Sequence, residues 1–427
     1  MFYHVLNDKL LLSEHPLNYY PNLDNLNIKK VSKESSFNFK DNIYALNKLN
    51  PLKTRRSFTV NSVNSLFLKE ETIDLLKKPL STSVENTWLF EKINNRKITF
   101  VNTEYKSFKD IVLNPPNFPL SKEKININVV GLGDVGGTLI TGLRLLGREC
   151  IDTIGIYDTD TNKVKRWNLE CNQISSISKD VDFPEIIPKS EEELFDCDLF
   201  VFCVSIGVPK VGEEKGDLRI SQFKGNSKII DYYANLAREN NFKGIFSVVS
   251  DPVDLLCKRA FEYSNKNKEG KWDFKGMAPE QIRGYGLGVM HGRALYYSKD
   301  IAPEYKIEGR AFGPHGKGLI IANSINNYND SLSLLLTEKT KNANIEVRKT
   351  GFKPYIAPSL SSGAISLIDT IKGNWNYSAN FLGGTYLGCK NKISPSGLEL
   401  ETLDFHKKLF ERLTSTYELI DNIYNSI

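Results

Sequence analysis

Three glycines, Gly131, Gly133 and Gly136, stand at GxGxxG spacing within INVVGLGDVGGTLITGLRLLGRECIDTIGIYD, the stretch that runs from Ile127 to Asp158. The first position permits a tight strand-to-helix turn and the second lets a pyrophosphate reach the backbone. The third lets the helix pack closely on the strand. A helix that starts at this turn offers free N–H groups and a positive dipole end to phosphates, so Asp134 and Val135 at its start join the cradle. About twenty residues past the last glycine comes Asp158, placed to accept hydrogen bonds from an adenosine ribose and to repel a 2′-phosphate. No basic residue adjoins it, Lys163 coming several positions later. The chemistry expected here is binding of NAD in preference to NADP.

The elements that must hold this turn are legible around it. Ile127, Val129 and Val130, interrupted only by Asn128, read as a largely buried parallel strand. Thr138 to Leu146 carries apolar residues at helical intervals, and Ile154 to Tyr157 reads as the next strand. Further on, a helix through Val164, Trp167 and Leu169, a strand over Leu199–Val204 and a loop over Ser205–Asp217 are expected. A helix over Ile229–Asn240, a strand over Gly244–Ser250 and a helix from Pro252 to about Tyr263 follow. This alternation implies a parallel sheet with right-handed crossovers. Asn265–Phe274 is charged and reads as a solvent loop.

Residues 1 to about 120 differ in character, being rich in Asn, Lys, Ser and Phe. Phe2–Leu6 and Lys9–Leu12 flank Asn7-Asp8 as a hairpin, and Thr87–Lys92 with Lys97–Val101 is expected to form another. Glu70–Lys78 is a short helix candidate, and Arg55-Arg56 reads as a solvated pair. Asn114–Lys124, with three prolines, reads as a linker. The expected domains are therefore an N-terminal α+β unit over 1–122, a Rossmann-type unit over 123–284 and an α+β unit over 285–427.

Composition narrows the function. A net charge of +5 over 427 residues makes no case for nucleic acid. Leu199–Val208, the longest strongly apolar run, is too short to cross a bilayer, and no signal peptide is evident. Six scattered cysteines without a CxxC suggest neither a disulfide framework nor a metal site, which fits a reducing cytoplasm.

Over residues 125–427 the chain resembles the lactate/malate dehydrogenase family. The motifs are GLGDVG (131–136), IYD (156–158), DLFVFCVSIGVP (198–209), VVSDPVD (248–254), IRGYGLGVMHGRA (282–294), GPHG (313–316) and AISLIDTI (364–371), the last preceding an expected strand pair and helix. The resemblance implies hydride transfer between NAD and a 2-hydroxy or 2-keto acid, in a homo-oligomer. His315 matches the proton-shuttling histidine, for which an imidazole is suited. Arg293 matches the arginine whose guanidinium fork grips a carboxylate. Ser205 and Gly207 should pass beside the cofactor, and Val208–Asp217 should form a lid.

The chemistry half departs from the family pattern. Met290 stands where an aspartate orients the histidine. Lys210 and Lys215 replace lid arginines, keeping charge without the fork. Asp251 replaces an asparagine, and Tyr285 a smaller residue. Asp251 is expected to pair with His315 in place of the lost aspartate. Pairing with Arg293, reading a cationic substrate group and simple helix capping are its other readings. His291 matches no family role, and His406 is expected on the apolar stripe of the last helix. The alternative to an enzyme is a non-catalytic, NAD-responsive binding protein.

Overall fold

The computed structural model describes residues 1–24, 26–79, 87–113, 122–178, 182–206, 218–351 and 360–427. Its spine is a nine-stranded sheet. In spatial order the strands are Glu185–Pro188, Ile151–Tyr157, Ile125–Val130, Leu199–Phe202, Ile245–Val248, Ile282–Gly284, Asn376–Leu382, Thr385–Ser394 and Gly397–Leu400. The first six run parallel. The direction reverses where Gly284 meets Ala379, and the last three are antiparallel.

Ile125–Val130 sits inside the parallel half because both its faces are covered, and Ile127, Val129 and Val130 are fully buried. Asn128 is tolerated in that run because its Nδ2 donates to the carbonyls of Glu193 (3.1 Å) and Leu194 (3.0 Å). The helices Asp134–Leu146, Thr161–Asn172, Leu218–Glu239 and Val253–Ser264 supply the crossovers. The expected strands and helices of this unit are present, with the fourth-strand helix starting well before Ile229 and an unforeseen edge strand over Glu185–Pro188. The expected C-terminal strand pair is three strands, followed by the helix Lys407–Asn425.

The N-terminal unit has its own six-stranded mixed sheet. Phe2–Leu6 and Lys9–Ser13 form the expected hairpin, with Asn7 at φ 56° in its turn. The second expected hairpin does not form. Thr87–Asn94 is a helix, because Leu89 and Ile93 lie one turn apart and bury one face against the sheet. Ile98–Asn102 instead pairs in parallel with Ile43–Asn47. Glu70–Lys78 contains only a 3₁₀ turn, Ile73–Leu76.

Three loop readings also change. Asn265–Phe274 is partly packed: Trp272 stacks on Phe274 at 5.5 Å, and Asp273 pairs with Arg238 at 2.6 Å. Arg55 and Arg56 are not solvated. Both are buried and hold carboxylates, Glu71 and Glu280 respectively, each at 3.0 Å. His406 is exposed and caps the last helix, accepting from Lys408 N at 3.2 Å. Most of the expected linker, residues 114–121, lies outside the described residues.

Candidate active site

The glycine turn is built as its sequence requires. Gly131 has φ +91°, and a Cβ there would lie 2.7 Å from the backbone of Cys203 on the neighbouring strand. A Cβ on Gly136 would lie 1.9 Å from the Gly131 carbonyl oxygen, so the helix can approach only through glycine. Gly133 precedes the helix Asp134–Leu146 as its N-cap, and the space around its Cα is open. Gly133 and Asp134 are exposed and Val135 half-buried, so the free N–H end of the helix faces solvent. Such a cradle fits a dinucleotide pyrophosphate.

Asp158 lies at the tip of the adjacent strand. Its Oδ2 accepts from Leu132 N at 2.8 Å and its Oδ1 from Asp160 N at 3.0 Å, so the carboxylate also fastens the glycine turn. One expectation is corrected here. Asp160 caps the helix Thr161–Asn172, whose first turn brings Lys163 Nζ to 3.5 Å from Asp158 Oδ2. The carboxylate therefore has a basic neighbour after all.

Across the sheet edge, Ser205 is exposed, its hydroxyl donating to the Ile206 carbonyl at 3.2 Å. Gly207, Lys210, Lys215 and the rest of the expected lid lie outside the described residues. Sequence reasoning missed Asn226, which is buried on the helix Leu218–Glu239. Its Oδ1 accepts from Ile206 N and its Nδ2 donates to the Asp251 carbonyl, both at 2.8 Å. It thereby ties the cofactor-side loop to the chemistry-side loop. Nothing in the sequence sets it apart from Asn235 on the same helix.

His315, Asp251 and Arg293 come from three separate segments and converge. His315 sits in a turn whose flanking Gly313 and Gly316 have φ +84° and +126°. Gly313 N donates to the Gly388 carbonyl at 2.9 Å, and Thr416 Oγ1 donates to the Gly318 carbonyl at 2.9 Å, pinning both ends. Gly286 lies behind the ring, where a Cβ would come within 3.2 Å of the His315 Cβ. A cavity of about 10 Å³ lies among Asp254, Gly286, Gly313 and His315, at the lower limit for one water molecule.

His315 Nδ1 lies 3.2 Å from Asp251 Oδ2, with both side chains partly exposed. An Nδ1–H donating to this carboxylate leaves Nε2 as the acceptor toward the open side. Met290, by contrast, is 2 % exposed and packs in an apolar cluster with Leu287, Val289, Ala294 and Leu336. A charged acceptor has no place there. Pro252 stands at the N-cap position of the helix Val253–Ser264, with no side-chain cap of its own.

Arg293 is half-buried on the helix Leu287–Ile301. Burial holds its guanidinium below the usual value, while the charges of Tyr297 and Asp251 act in the opposite direction. Among the described residues no hydrogen bond or salt bridge to its guanidinium is formed, so its donors remain for another group. Tyr285 is buried and structural, its hydroxyl bonding Thr370 Oγ1 at 3.0 Å. His291 is also structural. It bonds the Tyr305 hydroxyl at 2.9 Å and packs on Tyr377, and burial pulls it down to about 4. Among the described residues no group of three or more His, Cys, Asp or Glu could hold a metal ion. No helix there is long and apolar enough to cross a membrane.

A twisted parallel sheet with a glycine-rich turn, a helix N-terminus and an acid at the next strand tip defines a dinucleotide-binding α/β protein. Comparison with known proteins narrows this. Residues 125–271 match the family model for the lactate/malate dehydrogenase NAD binding domain. L-lactate dehydrogenase 1 of Staphylococcus aureus is 26% identical over 194 residues, which are 44% of this chain and 54% of that protein. The chain thus spans about half the length of the curated relatives it matches.

Solved structures agree in fold. The minor L-lactate dehydrogenase of Enterococcus mundtii has TM-score 0.58 at 17% identity, covering 72% of this chain and 99% of its own. Malate dehydrogenase from Archaeoglobus fulgidus, solved in complex with NADH, has TM-score 0.56 at 17% identity, covering 70% and 99%. Residues 125–271 are thus similar to the NAD binding domain of lactate/malate dehydrogenases, which makes NAD the cofactor, and the fold is shared with solved lactate and malate dehydrogenases.

Proposed function

We propose that this protein is an NAD-dependent oxidoreductase that moves a hydride between NAD and a 2-hydroxy or 2-keto acid. The observation that carries the reading is His315 Nδ1 lying 3.2 Å from Asp251, whose charge also reaches Arg293, in a chain that carries an NAD-binding turn. Bound NAD accepts or returns the hydride at its nicotinamide ring. The chain's residues do the rest. Arg293 presents its fork to the substrate carboxylate, which fixes the carbon that gives up hydride. His315 Nε2 takes the hydroxyl proton as the carbonyl forms, and gives it back in the reverse direction. Asp251 holds the Nδ1–H tautomer and stabilises the imidazolium formed in that step.

Lys210 and Lys215 complete the proposal as cations that would polarise the substrate carbonyl. The 123–284 unit binds cofactor and the 285–427 unit presents Arg293 and His315. Asp251 comes from the cofactor unit, so catalysis depends on how the two units meet.

The direct test follows NADH absorbance with a panel of 2-hydroxy acids, and its loss with the matching 2-keto acids. Turnover of at least one acid, abolished by His315→Gln while NAD still binds, is expected. NAD binding without turnover of any acid would favour the non-catalytic, NAD-responsive reading instead.

A further inference from the structure

The N-terminal unit has no counterpart in the family match, which begins at residue 125. Solved dehydrogenases are covered over 98–99% of their own length by 70–72% of this chain. Yet this added unit is not a loose appendage. Ile73 and Leu76 belong to the same buried cluster as Phe261, Phe381 and Leu413 of the dehydrogenase-like part. Lys78 N and Leu403 N exchange bonds with the Leu403 and Leu76 carbonyls, both at 2.8 Å.

Two consecutive arginines make the most specific contacts, and they use the same geometry. Arg55 donates its backbone N (3.1 Å) and its Nε (3.0 Å) to the two oxygens of Glu71. Arg56 donates its backbone N (3.2 Å) and Nε (3.0 Å) to the two oxygens of Glu280. The Arg55–Glu71 pair is buried, with the Glu71 side chain wholly so, and the Arg56–Glu280 pair is largely covered. Burial raises the Glu71 carboxyl, while Arg55 and the backbone amides of Arg55 and Gly383 work against that rise.

The two grips lead to opposite sides of the candidate active site. Glu71 Oε1 also accepts from Gly383 N at 3.3 Å, at the tip of the hairpin joining Asn376–Leu382 to Thr385–Ser394. Tyr417 holds the same tip, its hydroxyl lying 3.0 Å from the Leu382 and Gly383 carbonyls. The neighbouring Thr416 holds the Gly318 carbonyl, and Gly388 of the hairpin holds Gly313. Both ends of the His315 turn thus hang from elements that meet at the hairpin tip held by Glu71, the hairpin itself and the last helix through Tyr417. Glu280, in turn, lies at the start of the strand Ile282–Gly284, which leads through Gly286 into the Arg293 helix.

We propose that the N-terminal unit braces the active site, with Arg55–Glu71 and Arg56–Glu280 as positioning pairs that fix the His315 turn relative to Asp251 and Arg293. A buried ion pair is a poor source of stability but demands one geometry, because its charges tolerate no other partners. Joining the two grips at adjacent residues makes the spacing between the hairpin tip and the Glu280 turn rigid. The Met290 position leaves His315 oriented from only one side, by a carboxylate on the other unit. The contact most sensitive to that spacing is therefore His315–Asp251.

The inference rests on the roles given to His315 and Asp251, and its test is independent of turnover. Arg55→Met with Glu71→Leu replaces both buried charges by apolar groups of similar size, a change that folded proteins often tolerate. In the full chain with NAD bound, ring ¹⁵N shifts at pH 8 report which nitrogen of His315 carries the proton. His315→Gln assigns the signal among the five histidines. The double variant is expected to fold and bind NAD within twofold of the parent. His315 is expected to pass from mostly Nδ1–H to a mixture of tautomers, with kcat down tenfold or more and KM for NAD unchanged. A folded double variant with parental His315 shifts overturns the brace.

Thr416→Val cuts the last bond of one arm and leaves the N-terminal unit intact, so it decides the matter if the double variant does not fold. The same change of tautomer is expected there, and unchanged shifts would again overturn the proposal. An error in the dehydrogenase reading shows differently, as an unsubstituted protein that turns over no acid while its His315 shifts still respond to the variants.

Discussion

The cofactor end and the chemistry end of this protein are assembled in different ways. Gly131 to Asp158 is one contiguous turn, helix and strand, with its geometry set by three glycines and one acid within 28 residues. The chemistry end takes Asp251, Arg293 and His315 from a strand tip, a helix and a turn. Local constraint makes the first robust to drift elsewhere in the chain. The second depends on how distant elements pack, so a loss at one position (Met290) can be offset by a gain at another (Asp251).

The largest effect is expected at Arg293. If its fork holds the substrate carboxylate, Arg293→Lys loses or misdirects one charged hydrogen bond, at a cost of about 2–4 kcal/mol in kcat/KM. NAD affinity, set at the other end, should hardly move. Equal losses of NAD affinity and turnover would erase the division between the two ends.

Next comes acid stability, which belongs to the chemistry end through His291. Its neutral ring is buried between Tyr305 and Tyr377 and protonates only near 4 in the fold, whereas in the unfolded chain it protonates near its ordinary 6.5. The unfolded state therefore binds more protons as pH falls. Stability is full above about 6.5, declines toward 4 and then levels, a loss on the order of 3 kcal/mol from this group alone. Urea unfolding at pH 7 and pH 4 should show a smaller acid loss in His291→Gln than in the parent. An equal loss in both would place the acid-sensitive group elsewhere.

The smallest effect concerns cofactor choice. Lys163, 3.5 Å from Asp158, offsets part of the charge that repels a 2′-phosphate. Lys163→Ala should widen the preference for NAD over NADP by up to about 1 kcal/mol, as expected of an exposed pair. Fluorescence titration with both dinucleotides measures it. A narrowed preference would mean that Asp158 does not face the ribose.

The same contrast explains what the sequence reveals. The glycine turn, its strand and helix, and the strand–helix alternation behind the parallel sheet are written in neighbouring residues, and so they are legible. Arg293 and His315 are visible through motif resemblance, not through periodicity or composition. Arg55 and Arg56 read as solvent-facing because their partners are 16 and 224 residues away. Nothing local marks a buried ion pair. Thr87–Lys92 reads as a strand because its β-prone residues outweigh Leu89, and only the sheet beneath makes Leu89 and Ile93 decisive for the helix Thr87–Asn94. Asn226 joins loops that approach only after folding, so its role is invisible in the chain.

Whether Asp251 orients His315 in place of a carboxylate at position 290 is tested most directly by Asp251→Asn. Asparagine preserves shape but carries no charge to stabilise the imidazolium formed in turnover. Steady-state kinetics on the best 2-hydroxy acid should show kcat down by roughly 10²-fold or more, in the range of a lost general-base partner. NAD affinity and unfolding midpoint should stay near parental values. A variant with parental kcat would contradict the account, because His315 would then be oriented by some other group.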